Sequence, residues 1–117
     1  IRTAMRAHPY LVAGTGRPCT AIMRAVPDVV VKAGAEGVYA AALPSRGLGI
    51  ALKIEDGAAR AAEMALLAVL DHLGALDAAA RAALAGRYPA LIHNVVGRVV
   101  GSVQPARGFK FPNPSNF

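Results

Sequence analysis

Three consecutive valines at positions 29–31 run directly into Lys32 and a turn that contains Gly34 and Gly37. β-Branched residues favour extended backbone and glycines favour chain reversal, so the segment predicts a strand over residues 28–33 that enters a tight turn. A lysine that closes such a strand is expected to be half desolvated, with its ammonium held in one direction. The glycines leave room for a ligand to approach backbone N–H groups. The simpler interpretation is a solvated edge charge that discourages sheet aggregation.

The periodicity of the remaining chain predicts helices around several strands. The clearest helix is indicated by apolar residues at helical spacing, which are Ala62, Leu66, Val69, Leu70 and Leu73. Gly74 ends this helix, and Asp56 is its predicted N-cap. Helices are predicted over residues 2–8, 18–25, 58–73 and 77–85, and strands over 28–33, 38–43, 48–54 and 97–103. The predicted fold class is therefore α+β, with antiparallel strands backed by helices.

The length of 117 residues sets the expected domain organisation. One domain at most fits this length, and residues 1–107 are predicted to be a portion of a single domain. The chain starts at Ile1 inside a predicted helix, which suggests a fragment of a longer protein. Residues 108–117 differ in composition from the rest and lack periodicity, so they are predicted to be a flexible tail or a sequence scar.

The formal charge of +6 comes from arginines that are scattered along the chain. Because they do not gather in one run, charge alone does not predict a nucleic-acid partner. Cys19 is the only cysteine, which excludes an internal disulfide and fits a reducing, cytoplasmic location. It is expected to be a small buried hydrophobe. No apolar run approaches the roughly 20 residues of a membrane span, so no membrane partner is expected.

Several blocks of sequence, in order, resemble one family of enzymes. They are Gly14-Thr15-Gly16-Arg17 followed by Cys19-Thr20, then 32–39 (KAGAEGVY), then 47–57 (GLGIALKIEDG), then an alanine-rich helix. Asn94, Gly97 and Val100-Gly101 match a closing pattern. The chain from about residue 1 to 105 resembles the C-terminal part of the L-asparaginase II family, the serine–lysine type of asparaginase.

This resemblance implies a fold similar to serine β-lactamases, penicillin-binding proteins and serine glutaminases. Those enzymes carry an early Ser-x-x-Lys motif and a late Lys-Thr-Gly motif on a strand. Lys32-Ala33-Gly34 stands where the late motif belongs. Ala33 departs from the pattern, because the wider superfamily has a hydroxyl residue there, so no hydroxyl role is transferred.

The resemblance also implies the reaction and the roles of the site residues. L-Asparagine, the small-molecule substrate, would be hydrolysed to L-aspartate and ammonia by a serine outside this chain, so the 117 residues alone are expected to be inactive. Lys32 is expected to assist proton transfer, and Gly34 to let substrate lie against the strand. Ala35 would offer an oxyanion-hole N–H, and Glu36 would contact the α-ammonium of the substrate.

A zinc ion held partly by cysteine is a further implication of the resemblance. Its ligands are expected upstream of Ile1, because His8, His72 and His93 are far apart and show no zinc-site spacing. We therefore expect no metal ligand within this chain. Strand edges that lack partners within the sequence also make a homo-oligomer the expected assembly.

Two other functions remain open from the sequence. A Gly-x-x-Gly pattern at Gly34 and Gly37, with a pI near 10.3, is compatible with a small RNA-binding module whose loop clamps phosphates. The acidic Glu36 inside the loop and the strands expected on both sides argue against it. The other alternative is a non-catalytic structural or interaction domain.

Overall fold

A computed structural model describes residues 1–108, 110, 111, 113 and 115. It contains helices around two antiparallel sheets. In these residues the helices are α1 Arg2–Ala7, α2 Pro9–Ala13, α3 Pro18–Ala25, α4 Ala59–His72 and α5 Ala78–Ala83. The strands are β1 Val30–Ala33, β2 Val38–Leu43, β3 Leu48–Lys53, β4 Ala90–His93 and β5 Val99–Val103. The predicted α+β class is confirmed.

The three-stranded sheet has the order β1-β2-β3 with antiparallel neighbours, so β1 lies at an edge. Lys32 pairs with Ala40, and Ala33 pairs with Tyr39. Because side chains alternate along a strand, the sheet has one face toward the helices, where Tyr39 is buried, and an outer face that carries Lys32. Lys53 shares that outer face and is exposed.

The core lies between the inner face of this sheet and helices α3, α4 and α5. Its largest fully buried side chains are Ile22, Leu43, Leu66, Leu67, Leu70, Leu84, Val29 and Val31. Helix α4 supplies three of these leucines, because its apolar positions recur at helical spacing along one side. The amphipathic helix predicted over residues 58–73 is confirmed to within one residue at each end.

Two loops touch beside the edge strand. Gly37, in the turn between β1 and β2, has φ +70°, and a Cβ there would lie 3.0 Å from the Gly57 carbonyl carbon and from the Ile54 Cβ. The N–H of Ile54 donates to the Gly37 carbonyl oxygen at 3.0 Å. This contact holds the loop that precedes α4 against the turn that follows β1.

Some local details differ from the predictions. Strand β1 begins at Val30 and not at residue 28, and the α4 N-cap is Ala58, although Asp56 still accepts the Ala58 N–H through Oδ1 at 2.8 Å. Asp77 is a true side-chain cap of α5, since it accepts from the Ala80 N–H at 2.7 Å. The strand predicted over residues 97–103 begins at Val99 and pairs with β4, which was not predicted.

The predicted tail at residues 108–117 is described only in part. Positions 109, 112, 114, 116 and 117 lie outside the described residues, so its flexibility stays a prediction. The Phe111 ring, which is described, lies 5.2 Å from the His72 ring. Within the part of the chain that the structure describes, no helix has the length and apolar content needed to cross a bilayer.

Candidate functional site

A cleft of about 470 Å³ opens at the edge of the three-stranded sheet, beside β1. Strand β1 and the turn after it contribute Lys32 and Gly34, and β2 contributes Tyr39. The opposite walls come from the start of α3 and the first turns of α4. The charged residues of these walls are Arg17, Arg60 and Glu63. The cleft therefore joins the predicted lysine to three charged groups that are distant from it in sequence.

Lys32 is exposed, and its Nζ donates to the Ala33 carbonyl oxygen at 2.6 Å. The expected half desolvation is not found, because Lys32 projects from the outer face of an edge strand and not from the face that packs on the helices. The hydrogen bond holds the ammonium beside the Ala33 carbonyl, and both residues line the cleft.

Gly34 lies at the mouth of the turn, where its N–H donates to the Val38 carbonyl oxygen at 2.8 Å. A Cβ at Gly34 would lie 3.2 Å from the Val38 side chain. The absence of a side chain at Gly34 therefore leaves this part of the cleft open. Lys32 and Gly34 thus both line this cleft.

Ala35 and Glu36 form the exposed tip of the turn. Within the described residues the Ala35 N–H forms no hydrogen bond. Glu36 has φ +56° and opens onto a neighbouring hollow that it shares with Lys53, Glu55, Asp56 and Gly57. The structure therefore places Glu36 beside a different hollow from Lys32, and its contact with a substrate stays a prediction.

Cys19 forms part of the floor of the cleft and is 2% exposed, which confirms its predicted burial. Its Sγ accepts the Ala33 N–H at 3.2 Å. This N–H points away from β2, toward the side of the edge strand that no other strand covers. The thiol therefore accepts the hydrogen bond of a backbone donor that lacks a strand partner.

An arginine network holds two walls of the cleft together. Arg87 forms an ion pair with Glu63 at 2.9 Å and donates to the Gly16 carbonyl oxygen at 2.6 Å. Gly16 immediately precedes Arg17, and Glu63 lies on α4, so Arg87 fixes the loop before α3 relative to α4. The sequence does not reveal this connection, because the three elements are far apart along the chain.

Tyr39 lies beside this network. Burial, with smaller effects of Cys19 and the Glu63 carboxylate, raises the pKa of Tyr39 to about 12, while the Arg17 and Arg87 guanidinium groups oppose the rise. At neutral pH the phenol is therefore uncharged. It can exchange hydrogen bonds with a ligand but supplies no charge.

The described part of the chain contains no evident set of zinc ligands. No group of three or more His, Cys, Asp or Glu side chains there is arranged to hold a metal ion. Cys19, the one cysteine, has its sulfur against the Ala33 N–H. The described residues therefore do not fit a zinc site.

The turn between Gly34 and Gly37 joins two antiparallel strands. A phosphate-clamping Gly-x-x-Gly loop is expected to join two helices, so the geometry does not favour the RNA-binding alternative.

The fold and the cleft define an α+β domain with a lysine, a glycine and an exposed turn N–H at one sheet edge, which is a suitable place for a small polar molecule. The model of the family described as L-asparaginase II matches residues 1–105, and the chain belongs to that family. The resemblance inferred from the sequence is confirmed. A comparison with curated proteins finds no match. Membership indicates an asparaginase-like hydrolase that acts on a small molecule.

Proposed function

We propose that this chain supplies part of the active site of a serine-dependent amidohydrolase that converts L-asparagine to L-aspartate and ammonia. The observation that carries the proposal is the joint placement of Lys32 and Gly34 in one cleft at a strand edge, in a member of the L-asparaginase II family. The serine nucleophile is proposed to lie outside these 117 residues.

The chemistry needs a hydroxyl that attacks the carboxamide carbon, an amine that moves its proton, and donors for the oxyanion. Lys32, in its uncharged amine form, would accept the serine proton as the new C–O bond forms. It would then return a proton to the nitrogen, which leaves as ammonia when the C–N bond breaks. Water then cleaves the resulting ester, which gives L-aspartate and restores the serine.

The backbone of the turn supports the assignment of the oxyanion donor. The Gly34 N–H is already bonded to Val38, whereas the Ala35 N–H has no partner among the described residues. Ala35 is therefore the better candidate donor at this turn. Glu36, at the adjacent hollow, is proposed to contact the substrate α-ammonium from that side.

We also propose that the protein is a cytoplasmic homo-oligomer. The family resemblance implies a zinc ion in the intact enzyme, and we propose that its ligands lie outside this chain. The lone cysteine supports a reducing compartment. The β4–β5 hairpin exposes Val95, Val96 and Val100, which supports association through an apolar surface.

Ammonia release tests the proposal. The full-length enzyme should release ammonia from L-asparagine, and a parallel assay with L-glutamine establishes which amide it prefers. The purified 117-residue chain should release none, because it lacks the nucleophile. Ammonia release by this chain alone would contradict a serine outside it, and inactivity of the full-length enzyme on both amides would contradict the assigned reaction.

A further inference from the structure

We propose that Arg17 and Arg60 form a carboxylate subsite in the Lys32 cleft and bind the α-carboxylate of the substrate. This inference rests on the proposed function, because it assigns the remaining part of an amino-acid substrate to the same cleft.

The two arginines reach the cleft from separate elements. Arg17 is the N-cap residue of α3, and Arg60 lies in the first turn of α4. Both side chains are exposed and line the cleft, and neither guanidinium forms a hydrogen bond or an ion pair within the described residues. Their donors are therefore available to a ligand.

The backbone segments that carry these two arginines are held in place by contacts with other parts of the fold. Arg87 binds the Gly16 carbonyl next to Arg17 and also binds Glu63 of α4. The contact between Gly37 and Gly57 fixes the loop that leads into α4. A binding site whose supports are held in this way loses little conformational freedom when a ligand enters.

The charge balance of the cleft favours an anion. Arg17 and Arg60 are two permanent cations in its lining, Lys32 adds a third when its amine is protonated, and Glu63 is the single carboxylate there. Glu63 is itself neutralised by Arg87, which lies outside the lining. Arg17 is also close enough to Tyr39 for its positive charge to oppose the rise in the pKa of the phenol.

A guanidinium binds a carboxylate through two parallel hydrogen bonds, which gives orientation as well as energy. L-Asparagine has one carboxylate and one carboxamide. If the carboxamide lies at Lys32 and the turn N–H, the carboxylate is the group left for Arg17 and Arg60. The pair would thereby set the specificity for free amino acids.

The test uses the full-length enzyme and three amides that differ by one group. L-Asparagine carries both the carboxylate and the amine, succinamic acid lacks the amine, and 3-aminopropanamide lacks the carboxylate. Arg17→Gln should raise KM about 10- to 100-fold for the first two and leave kcat/KM for 3-aminopropanamide within about twofold. Arg60→Gln should act in the same direction, and Arg17→Lys should give an intermediate KM because charge persists without the two-pronged geometry.

Arg24→Gln is the matched control, since Arg24 is exposed on the same helix as Cys19 but lies at its other end, outside the cleft. It should leave kcat/KM unchanged for all three amides, and thermal unfolding checks that every variant is folded. Equal losses on all three amides, or no loss on L-asparagine, would overturn the subsite. Absence of ammonia release by the unmutated enzyme would instead overturn the proposed function.

Discussion

The Ala33 N–H donates a hydrogen bond to the Cys19 Sγ, 3.2 Å away, beneath the strand that carries Lys32. The bond connects the end of β1 to the first turn of α3. Because β1 is an edge strand, this N–H has no neighbouring strand to accept it. Sulfur is a weak acceptor, but a buried N–H without any partner is more costly. Cys19 therefore positions the backbone beside the candidate catalytic lysine.

Cys19→Ala should lower the free energy of unfolding by about 1–3 kcal/mol, because the Ala33 N–H loses its acceptor. Urea unfolding measures the loss. Amide hydrogen exchange locates it: the Ala33 amide should exchange faster, while the Gly34 amide, which is bonded to Val38, should change less. Equal acceleration at both amides would mean that the thiol acts only by filling space.

Gly37→Ala should lower the free energy of unfolding by about 3 kcal/mol, since it combines a left-handed φ with contacts at 3.0 Å to Gly57 and Ile54. Gly47→Ala is the matched control. Gly47 has φ +63° but nothing within 4 Å of an added Cβ, so its loss should be about 1 kcal/mol. Similar losses at the two sites would show that crowding between the loops contributes nothing.

Lys32→Met should reduce kcat of the full-length enzyme by about a hundredfold to ten-thousandfold with the fold intact, because proton transfer loses its amine. Lys110→Met is the control. Lys110 is also exposed, but it lines neither the cleft nor the hollow beside Glu36. Near-normal turnover of Lys32→Met would contradict the catalytic assignment.

Alkaline pH should weaken the fold through Tyr39. Its pKa is raised in the folded protein from 10.0 to about 12, so the stabilisation is fully present below pH 10 and is lost as the pH rises through 12. The loss is about 3 kcal/mol at most. Tyr39→Phe should reduce the fall in the free energy of unfolding over this pH range, measured by urea unfolding at several pH values. Tyr10→Phe, at an exposed position, should keep the original slope.

Strong local signals account for the parts of the fold that could be predicted. Helix α3 and strand β2 have the predicted bounds, because prolines bracket the helix and glycines bracket the strand region. Pro9 predicts the end of α1, but proline is also accepted at the first position of a helix, and α2 begins there. Strand β4 has four residues and no polar alternation, so only its pairing with β5 reveals it.

The site could be predicted only where its residues are neighbours in sequence. Lys32 and Gly34 follow from one motif, and Arg17 lies in a loop that the family resemblance already includes. Arg60 and Glu63 give no local signal, since they occur on an alanine-rich helix where charged residues are ordinary. Their position in the cleft depends on tertiary contacts, among them the Arg87–Glu63 ion pair and the contact between Gly37 and Gly57.

That glycine contact links the lengths of two loops. One loop follows Lys32 and the other precedes Arg60, so an insertion in either would change the distance across the cleft as well as its own shape. Sequence changes in one loop alone, whether natural or in a designed library, would therefore alter the width of the cleft even where they leave the reacting groups unchanged. The two loops are best treated as a single unit of variation, with both glycines kept.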